Sequence, residues 1–437
     1  MLNIAILGFG LIGSGTADVF IENESVITKK IGDTVNIKYI LDRIDIKNHP
    51  LSARQVKDFD IILNDPDISL IVETMGGSTF AYTCTKAALE KGINVVTSNK
   101  ELVATYGAEL LEIATRTNAR YFFEASVGGG IPIIRPIYNC LAANKINKIT
   151  AILNGTTNFI LTKMSAENWD FDTALKIAQE NGYAEANPSD DIDGKDACRK
   201  ICILSSLAFG RQLPPEKVYT EGIRNITLND IKNAEKIGCK IKLIATSYSD
   251  GDSLYAITAP MLVSKTSQLY NIDDVFNGIV VTGNAVGDVM FYGPGAGKRP
   301  TASAVAADVM DAVLKSTKNI TWEVSDGSYV SDFRKRPAKY YVRAGFDASE
   351  ASETSEQSPV NVLNAADLNS IFALIKKTFS DYDGNDTNNA NNCDIYESYG
   401  NNEIFFTANI SDEYKFNEKI KNLSDSGFKI ASTIRML

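Results

Sequence analysis

Between Gly182 and Lys200 the chain reads GYAEANPSDDIDGKDACRK, which gathers Glu185, Asp190, Asp191, Asp193 and Asp196 with Lys195, Arg199 and Lys200. The apolar run ICILSSLAF, Ile201 to Phe209, follows at once. A polar, turn-rich segment entering an apolar helix can deliver acids and bases to the mouth of a buried site. On a helix advancing about 100° per residue, Ala197, Ile201, Leu204 and Ala208 share one core-facing stripe. Lys195 and Arg199 then point to solvent. Asp196 and Lys200, four apart, lie on the flank of the stripe as a half-buried carboxylate and ammonium. Proton transfer is open to such a pair, and so is the plain role of a helical ion pair.

The chain holds one histidine, His49, beside Pro50. A Ser–His–Asp triad or a multi-histidine zinc site would rest on that single residue, so acid–base work falls to Lys, Asp, Glu, Tyr or Cys. The cysteines Cys84, Cys140, Cys198, Cys202, Cys239 and Cys393 form no CxxC pair and read as reduced thiols of a cytoplasmic protein. The net charge of -10 counts against a nucleic-acid partner and leaves small molecules. No apolar run approaches the ~18 residues of a membrane span, and MLNIAILGFG reads as strand and turn rather than a targeting segment. A length of 437 residues leaves room for two or three domains.

The elements that must position the acids and bases begin with GFGLIG, Gly8 to Gly13, between the strand LNIAILG and the helix SGTADVFIEN. Gly8 makes the turn, Gly10 lets backbone approach a pyrophosphate, Gly13 lets helix pack on strand, and Leu11 and Ile12 open the helix against the cofactor. The strand NIKYILD ends at Asp42–Arg43: an acid favours the ribose hydroxyls of NAD, an arginine the extra phosphate of NADP, and both are present. The acid comes later than the usual ~20 residues, so an insertion is expected between Asn23 and Asn36. Gly76–Gly77 and Thr97–Ser98–Asn99–Lys100 fall at strand C-termini, where open parallel sheets bind ligands. In EASVGGGIPIIRPI, Gly128 to Gly130 break strand and helix, and expose carbonyls beside Glu124 as a cation cage or a plain turn.

From about Ile146 the pattern changes. INKITAILNGTTNFIL reads as a strand, WDFDTALKIAQENG as a helix, and KIKLIATSYS, SLYAITAPMLV and GIVVTGN as a second sheet suited to a dimer contact. FYGPGAGKRPTASAVAADVMDAVL is another glycine-rich turn feeding a helix, able to close over a cofactor. Past a basic linker, Ser331–Lys339, the strands and helices KYYVRAGF, AADLNSIFALIKKTF, CDIYES, NEIFFTANI, YKFNEKIKNLSDSG and FKIASTIRM spell βαββαβ, a ferredoxin-like module. Acidic (Ser349–Ser358) and Asn-rich (Asn385–Asn392) stretches interrupt it as loops. The expected fold class is α/β: a Rossmann domain over 1–130, completed by about 293–316, an α+β catalytic and dimerisation domain over 131–330, and the module over 338–437.

In this order, GFGLIG, VTSNK, EASVGGGIP, NGTTNFIL, GYAEANPSDDIDGKDACRK and GPGAGKRPTASAV resemble homoserine dehydrogenases of the long bacterial type with a C-terminal ACT-type regulatory module. The resemblance implies NAD(P)-dependent interconversion of L-homoserine and L-aspartate 4-semialdehyde on the way to threonine, methionine and isoleucine, in a cytoplasmic homodimer or homotetramer. By the same resemblance Lys200 is the general acid/base, with an alkaline optimum for alcohol oxidation. Asp196 and Glu185 hold the hydroxyl and amino ends of the substrate, and Lys100 lies between nicotinamide and substrate. Thr97, Ser98, Gly182 and Gly295 contact the NADP or NAD cofactor. Glu124 with the carbonyls of Val127, Gly129 and Ile131 matches a monovalent-cation site usually filled by sodium. Two places depart from the family: Asn187–Pro188 replaces an Asp-Pro, and DASEASETSEQSPVN stands where an effector-binding turn is usual. Another Rossmann dehydrogenase of a small amino or keto acid would lack the Gly182–Lys200 segment. A silent nucleotide or amino-acid sensor would be damaged at Lys100, Asp196 or Lys200, and all three are intact.

Overall fold

The computed structural model describes residues 1–314, 319–346, 365–379, 393–397 and 403–437. It begins with β1 (Leu2–Leu7), whose Ile4, Ala5, Ile6 and Leu7 are all buried, the mark of a strand covered on both faces. Then come α1 (Leu11–Glu22), α2 (Glu24–Ile31), β2 (Val35–Leu41), β3 (Gln55–Val56) and α3 (Phe59–Leu63). β4 (Ile68–Glu73), α4 (Thr79–Glu90), β5 (Asn94–Thr97), α5 (Lys100–Thr117) and β6 (Tyr121–Phe122) complete the first sheet. Its strands are parallel in the order β3-β2-β1-β4-β5-β6. In that doubly wound order the crevice for a ligand opens at the C-terminal ends of β1 and β4, where the chain reverses direction across the sheet. The expected insertion before Asp42 is the helix α2, closed by Gly32 at φ 76.

The second unit contains β7 (Ile146–Ile152), α6 (Gly155–Ala166), α7 (Phe171–Glu180), α8 (Ser189–Ile192) and α9 (Lys195–Phe209). β8 (Tyr219–Thr220), α10 (Leu228–Lys236), β9 (Cys239–Asp250), β10 (Ser253–Ser264), β11 (Phe276–Gly283), β12 (Gly287–Pro294) and α11 (Lys298–Leu314) follow. INKITAILNGTTNFIL is therefore not one strand. The strand stops at Ile152, and Asn154 caps α6 by accepting the Thr157 N–H at 2.8 Å. A good N-cap outweighs the strand preference of the threonines and aromatics behind it. Likewise the Phe291–Pro294 stretch is not turn but the end of β12, paired antiparallel with β11. α11 returns to the first unit: Val305, Ala306, Val309 and Ala312 share one core with Ile4, Ile6, Ala17 and Phe20.

The C-terminal part has β13 (Val330–Ser331), β14 (Ala338–Phe346), α12 (Ala365–Phe379), β15 (Cys393–Glu397), β16 (Glu403–Ile410), α13 (Glu413–Asp425) and β17 (Phe428–Met436). From β14 onward this is the βαββαβ order read from the sequence, with strands arranged β17-β14-β16-β15. It does not stand apart as a separate sheet. β17 pairs in parallel with β10, Met261 opposite Arg435 and Leu262 opposite Met436, so both units share one 11-stranded sheet. The basic linker is correspondingly no loose tether: the Arg336 guanidinium lies 5.2 and 5.0 Å from the Tyr248 and Tyr255 rings. DASEASETSEQSPVN and the Asn385–Asn392 stretch lie outside the described residues. Among the described residues no helix is long and apolar enough to cross a membrane.

Candidate active site

α9 starts immediately after Gly194, whose φ of 81 turns the chain sharply into the helix. Asp196 in the first turn is 3% exposed and Lys200 is 7% exposed. The pair expected to be half-buried is thus buried, because groups distant in sequence close over the helix flank. Lys200 Nζ lies 2.8 Å from Asp196 Oδ2 and donates to the Leu153 carbonyl at 2.8 Å. Lys100 Nζ, from the first residue of α5, lies 2.6 Å from Asp196 Oδ1. α5, α9 and the exit of β7 therefore converge on one carboxylate.

Burial resists ionisation of Asp196, but the ammonium groups of Lys200 and Lys100 outweigh it and hold its carboxyl well below the usual range. Lys100 is shifted upward, chiefly by the charge of Asp196 working against desolvation. One ionised carboxylate thus stands between two amines, and His49 is elsewhere, edge-on to Phe9 beside the glycine turn.

Other parts of the Gly182–Lys200 segment shape the turn. Asp190 pairs with Arg199 at 2.6 Å, and Asp193 pairs with Arg224. Glu185 is exposed on the loop between α7 and α8, and its side chain makes no hydrogen bond or ion pair with the cluster among the described residues. Gly182 ends α7 with φ 72. Sequence reading missed Leu153, which offers a carbonyl to Lys200, and Asn154, whose Nδ2 donates to Asp196 at 2.9 Å and Asp191 at 2.7 Å. The available signal was Asn154-Gly-Thr-Thr157 ahead of an apolar run, a capping pattern.

At the cofactor crevice, Gly8 has φ 86, and a Cβ on Gly13 would lie 2.0 Å from the Gly8 carbonyl oxygen, while a Cβ on Gly10 would meet nothing. The turn therefore needs Gly8 and Gly13 for its shape and leaves Gly10 open to a ligand, which fits a dinucleotide pyrophosphate. Leu11 is exposed at the start of α1, with Ile12 partly buried behind it. A cleft of about 440 Å³ continues past Gly8 and Gly10 to Asp42, Arg43, Met75 and Phe80. Asp42 accepts the Phe9 N–H at 2.6 Å and the Ile44 N–H at 2.8 Å, so it braces the glycine turn. Arg43 is exposed over the Phe80 ring at 5.9 Å.

Thr97 is fully buried and turns its hydroxyl inward to Glu73. Ser98 N–H donates to the Glu73 carbonyl at 3.3 Å, and Asn99 Nδ2 holds the Gly77 carbonyl at 2.7 Å. Glu73 also accepts the Met75 N–H at 2.7 Å, yet burial pushes its carboxyl up to about 7. Its folded form thus binds a proton more tightly than the unfolded chain. That contribution to stability falls as pH rises from the ordinary carboxyl range through about 7. Glu73→Gln should remove about 2 kcal/mol of the stability lost between about pH 5.5 and about pH 8, measured by urea unfolding. An unchanged pH slope in that variant would contradict the assignment.

The glycine run at Gly128–Gly130 serves close packing. Gly129 has φ 56, a Cβ there would lie 2.5 Å from the Gly295 carbonyl oxygen, and Gly130 N–H donates to Pro294 at 3.2 Å. The Glu124 side chain is taken up by backbone N–H groups. Its carboxylate accepts the backbone N–H groups of Ile133 (2.6 Å), Ile134 (2.8 Å) and Arg135 (2.9 Å), with the Arg135 guanidinium beside it. An anion so placed anchors the start of the next helical turn. No cluster of three or more His, Cys, Asp or Glu suited to a metal occurs among the described residues.

A family model described as Homoserine dehydrogenase matches residues 132–310, and one described as Homoserine dehydrogenase, NAD binding domain, matches residues 8–124. The chain is 41% identical over 320 residues to a homoserine dehydrogenase of Synechocystis, covering 71% of this chain and 73% of that one. It is 38% identical over 334 residues to that of Lactococcus lactis, covering 75% and 78%. Among solved structures it is similar to a homoserine dehydrogenase from Thiobacillus denitrificans, with TM-score 0.84 and 29% identity over 100% of this chain and 98% of that one. A hyperthermophilic archaeal homoserine dehydrogenase in complex with NADPH matches with TM-score 0.62 and 31% identity, over 73% of this chain and 99% of that one. With its parallel nucleotide-binding sheet and a Lys–Asp–Lys cluster centred on a buried carboxylate, the chain belongs to the homoserine dehydrogenase family of oxidoreductases.

Proposed function

We propose that the chain interconverts L-homoserine and L-aspartate 4-semialdehyde with NADP or NAD, and that Lys200 exchanges the proton at the reacting oxygen. The observation that carries this reading is the Lys100–Asp196–Lys200 cluster. The nicotinamide dinucleotide, when bound, supplies the hydride chemistry. Asp196 is bridged by Lys100 as well as by Lys200, so it keeps a cationic partner when the Lys200 amine exchanges its proton. In alcohol oxidation a neutral Lys200 amine takes the hydroxyl proton, which favours an alkaline optimum; in aldehyde reduction its ammonium returns that proton. Lys100, held charged, keeps a positive charge beside the oxygen as negative charge develops there. Exposed Glu185 is available to the substrate's amino end, and Gly182 and Ser98 to the cofactor, while Thr97 and Gly295 are buried and shape the backbone around them.

The βαββαβ unit with strand order β17-β14-β16-β15 supports an ACT-type, ferredoxin-like module. The exposed rings of Phe276 and Tyr292, stacked 5.3 Å apart on β11 and the edge strand β12, support a homodimer or homotetramer joined through this sheet. The setting proposed is cytoplasmic, in the route to threonine, methionine and isoleucine. The test follows reduced-nicotinamide absorbance with homoserine and each cofactor; a chain inactive with both sinks the reading.

The cleft also bears on cofactor choice. Asp42 is taken up by backbone N–H groups, while exposed Arg43 and Lys57 line the same cleft. Both cations suit the extra phosphate of NADP. Losing a charge-assisted hydrogen bond of about 1.5–3 kcal/mol, Arg43→Ala should raise KM for NADP about tenfold to a hundredfold and leave that for NAD within about twofold. Equal effects on the two cofactors would remove Arg43 from the phosphate.

A further inference from the structure

We propose that Asn154 is a positioning residue for proton transfer: its amide, donating at once to Asp191 and Asp196, fixes the orientation of Asp196 and holds the two carboxylates as separate acceptors. The inference rests on the reading of Asp196 and Lys200 given above and adds a residue that no motif assigned to the chemistry.

The geometry is unambiguous about which end of the amide faces the carboxylates. Asn154 Oδ1 accepts from the Thr157 N–H at 2.8 Å and from the Thr157 hydroxyl at 2.9 Å. A backbone N–H can only donate, so the oxygen must lie on that side and the NH₂ group on the other. Its two protons are matched by two acceptors, Asp191 Oδ1 at 2.7 Å and Asp196 Oδ2 at 2.9 Å. The residue is 4% exposed, so these bonds face no competition from bulk water.

Of the groups on Asp196, Asn154 is the short one. Lys100 and Lys200 reach the carboxylate on four-carbon stems and can follow it if it turns. Asn154 has two side-chain torsions, is clamped by its cap to the first turn of α6, and sits one residue past Leu153, whose carbonyl holds Lys200 Nζ. The exit of β7 therefore sets both members of the Asp196–Lys200 pair from adjacent residues. Misplacement of a reacting group by even about 1 Å is costly to catalysis.

The second consequence is electrostatic. Asp191 and Asp196 share one donor nitrogen, so two carboxylates lie close together in a largely buried place. Such pairs tend to capture a proton between them. Burial, followed by the charge of Asp196, shifts Asp191 upward. The NH₂ group occupies the gap with donors and satisfies both acceptors. Lys100 from α5, Lys200 and Arg199 from α9, and the two aspartates are the charged groups facing this point. Capping alone does not call for asparagine here, since Asp, Ser and Thr also cap well. Only Asn both accepts from Thr157 and donates twice.

That distinction supplies the test. Asn154→Asp and Asn154→Ser both keep a capping oxygen for α6 and remove the two donated bonds. The Ser variant, which adds no charge, should retain a melting temperature within a few degrees of the parent, and both variants a cofactor KM within about twofold, while kcat/KM for homoserine falls about thirtyfold or more. In the Asp variant, where a third carboxylate is added, the acid limb of the kcat/KM profile should also move to higher pH. Parental kcat/KM and pH profile in both variants would overturn the inference while leaving the proposed reaction intact. Losses in the Ser variant that track a fall in melting temperature, or losses in either that raise cofactor and homoserine KM alike, would reduce Asn154 to a cap and overturn it too. An inactive parent enzyme would instead defeat the reading of the reaction itself.

Discussion

Lys200→Met is expected to lower kcat/KM for homoserine oxidation about a thousandfold, within the 10²–10⁴ range of a positioned general base. Methionine keeps most of the stem volume and removes the only proton-exchanging atom of the side chain. The fold should survive, because Asp196 retains Lys100 at 2.6 Å and Asn154 at 2.9 Å, so no buried carboxylate is left without a donor. Lys200→Arg is the sharper companion. It restores a cation beside Asp196, but a guanidinium is effectively never deprotonated, so charge returns without a base. Both variants should lose the rise of activity toward alkaline pH while binding cofactor normally. If the arginine variant recovers more than about a tenth of parental kcat, the cluster acts through its charge and the proton leaves by another route.

What could be read from the sequence was what is local. The glycine turn at Gly8–Gly13, the insertion that became α2, and the four-residue spacing of Asp196 and Lys200 depend on neighbours along the chain. Burial of that pair depends on α5 and the exit of β7 arriving from far away, and periodicity carries no trace of them. Asn154 was hidden because threonine, phenylalanine and isoleucine on either side of it read as strand, whereas a single cap hydrogen bond sets the helix. Glu124 illustrates a different limit. An acid beside a glycine run does not announce which backbone groups its carboxylate meets, and here it accepts from Ile133, Ile134 and Arg135. The continuity of the large sheet was equally hidden, since two residue pairs between β10 and β17 join what read as separate domains.

Replacing Arg343 should give the largest loss of stability predicted for this chain, about 3–5 kcal/mol for Arg343→Met. Arg343 is 5% exposed on β14, and Nε meets Asp230 Oδ1 at 2.9 Å, Nη1 meets Glu403 at 2.9 Å and Nη2 meets the Thr227 hydroxyl at 3.1 Å. Asp230, fully buried, also closes the capping box of α10 and accepts from the Tyr341 hydroxyl at 3.1 Å. One ion cluster thus joins the first strand of the βαββαβ unit to α10 of the central unit. Without the guanidinium, Asp230 keeps only neutral donors in a dry place, and an unpaired buried charge costs more than a buried pair ever contributes. The double variant Arg343→Met/Asp230→Asn should therefore be more stable than the single one, because the stranded charge is gone while the Asn amide oxygen can still accept the Thr227 N–H of the capping box. Urea unfolding of the two single variants and the double variant, with kcat followed in parallel, separates the outcomes. A loss under about 1 kcal/mol in Arg343→Met would mean the cluster is dispensable. A double variant as unstable as the sum of the singles would mean that packing, rather than the charge, holds the two units together.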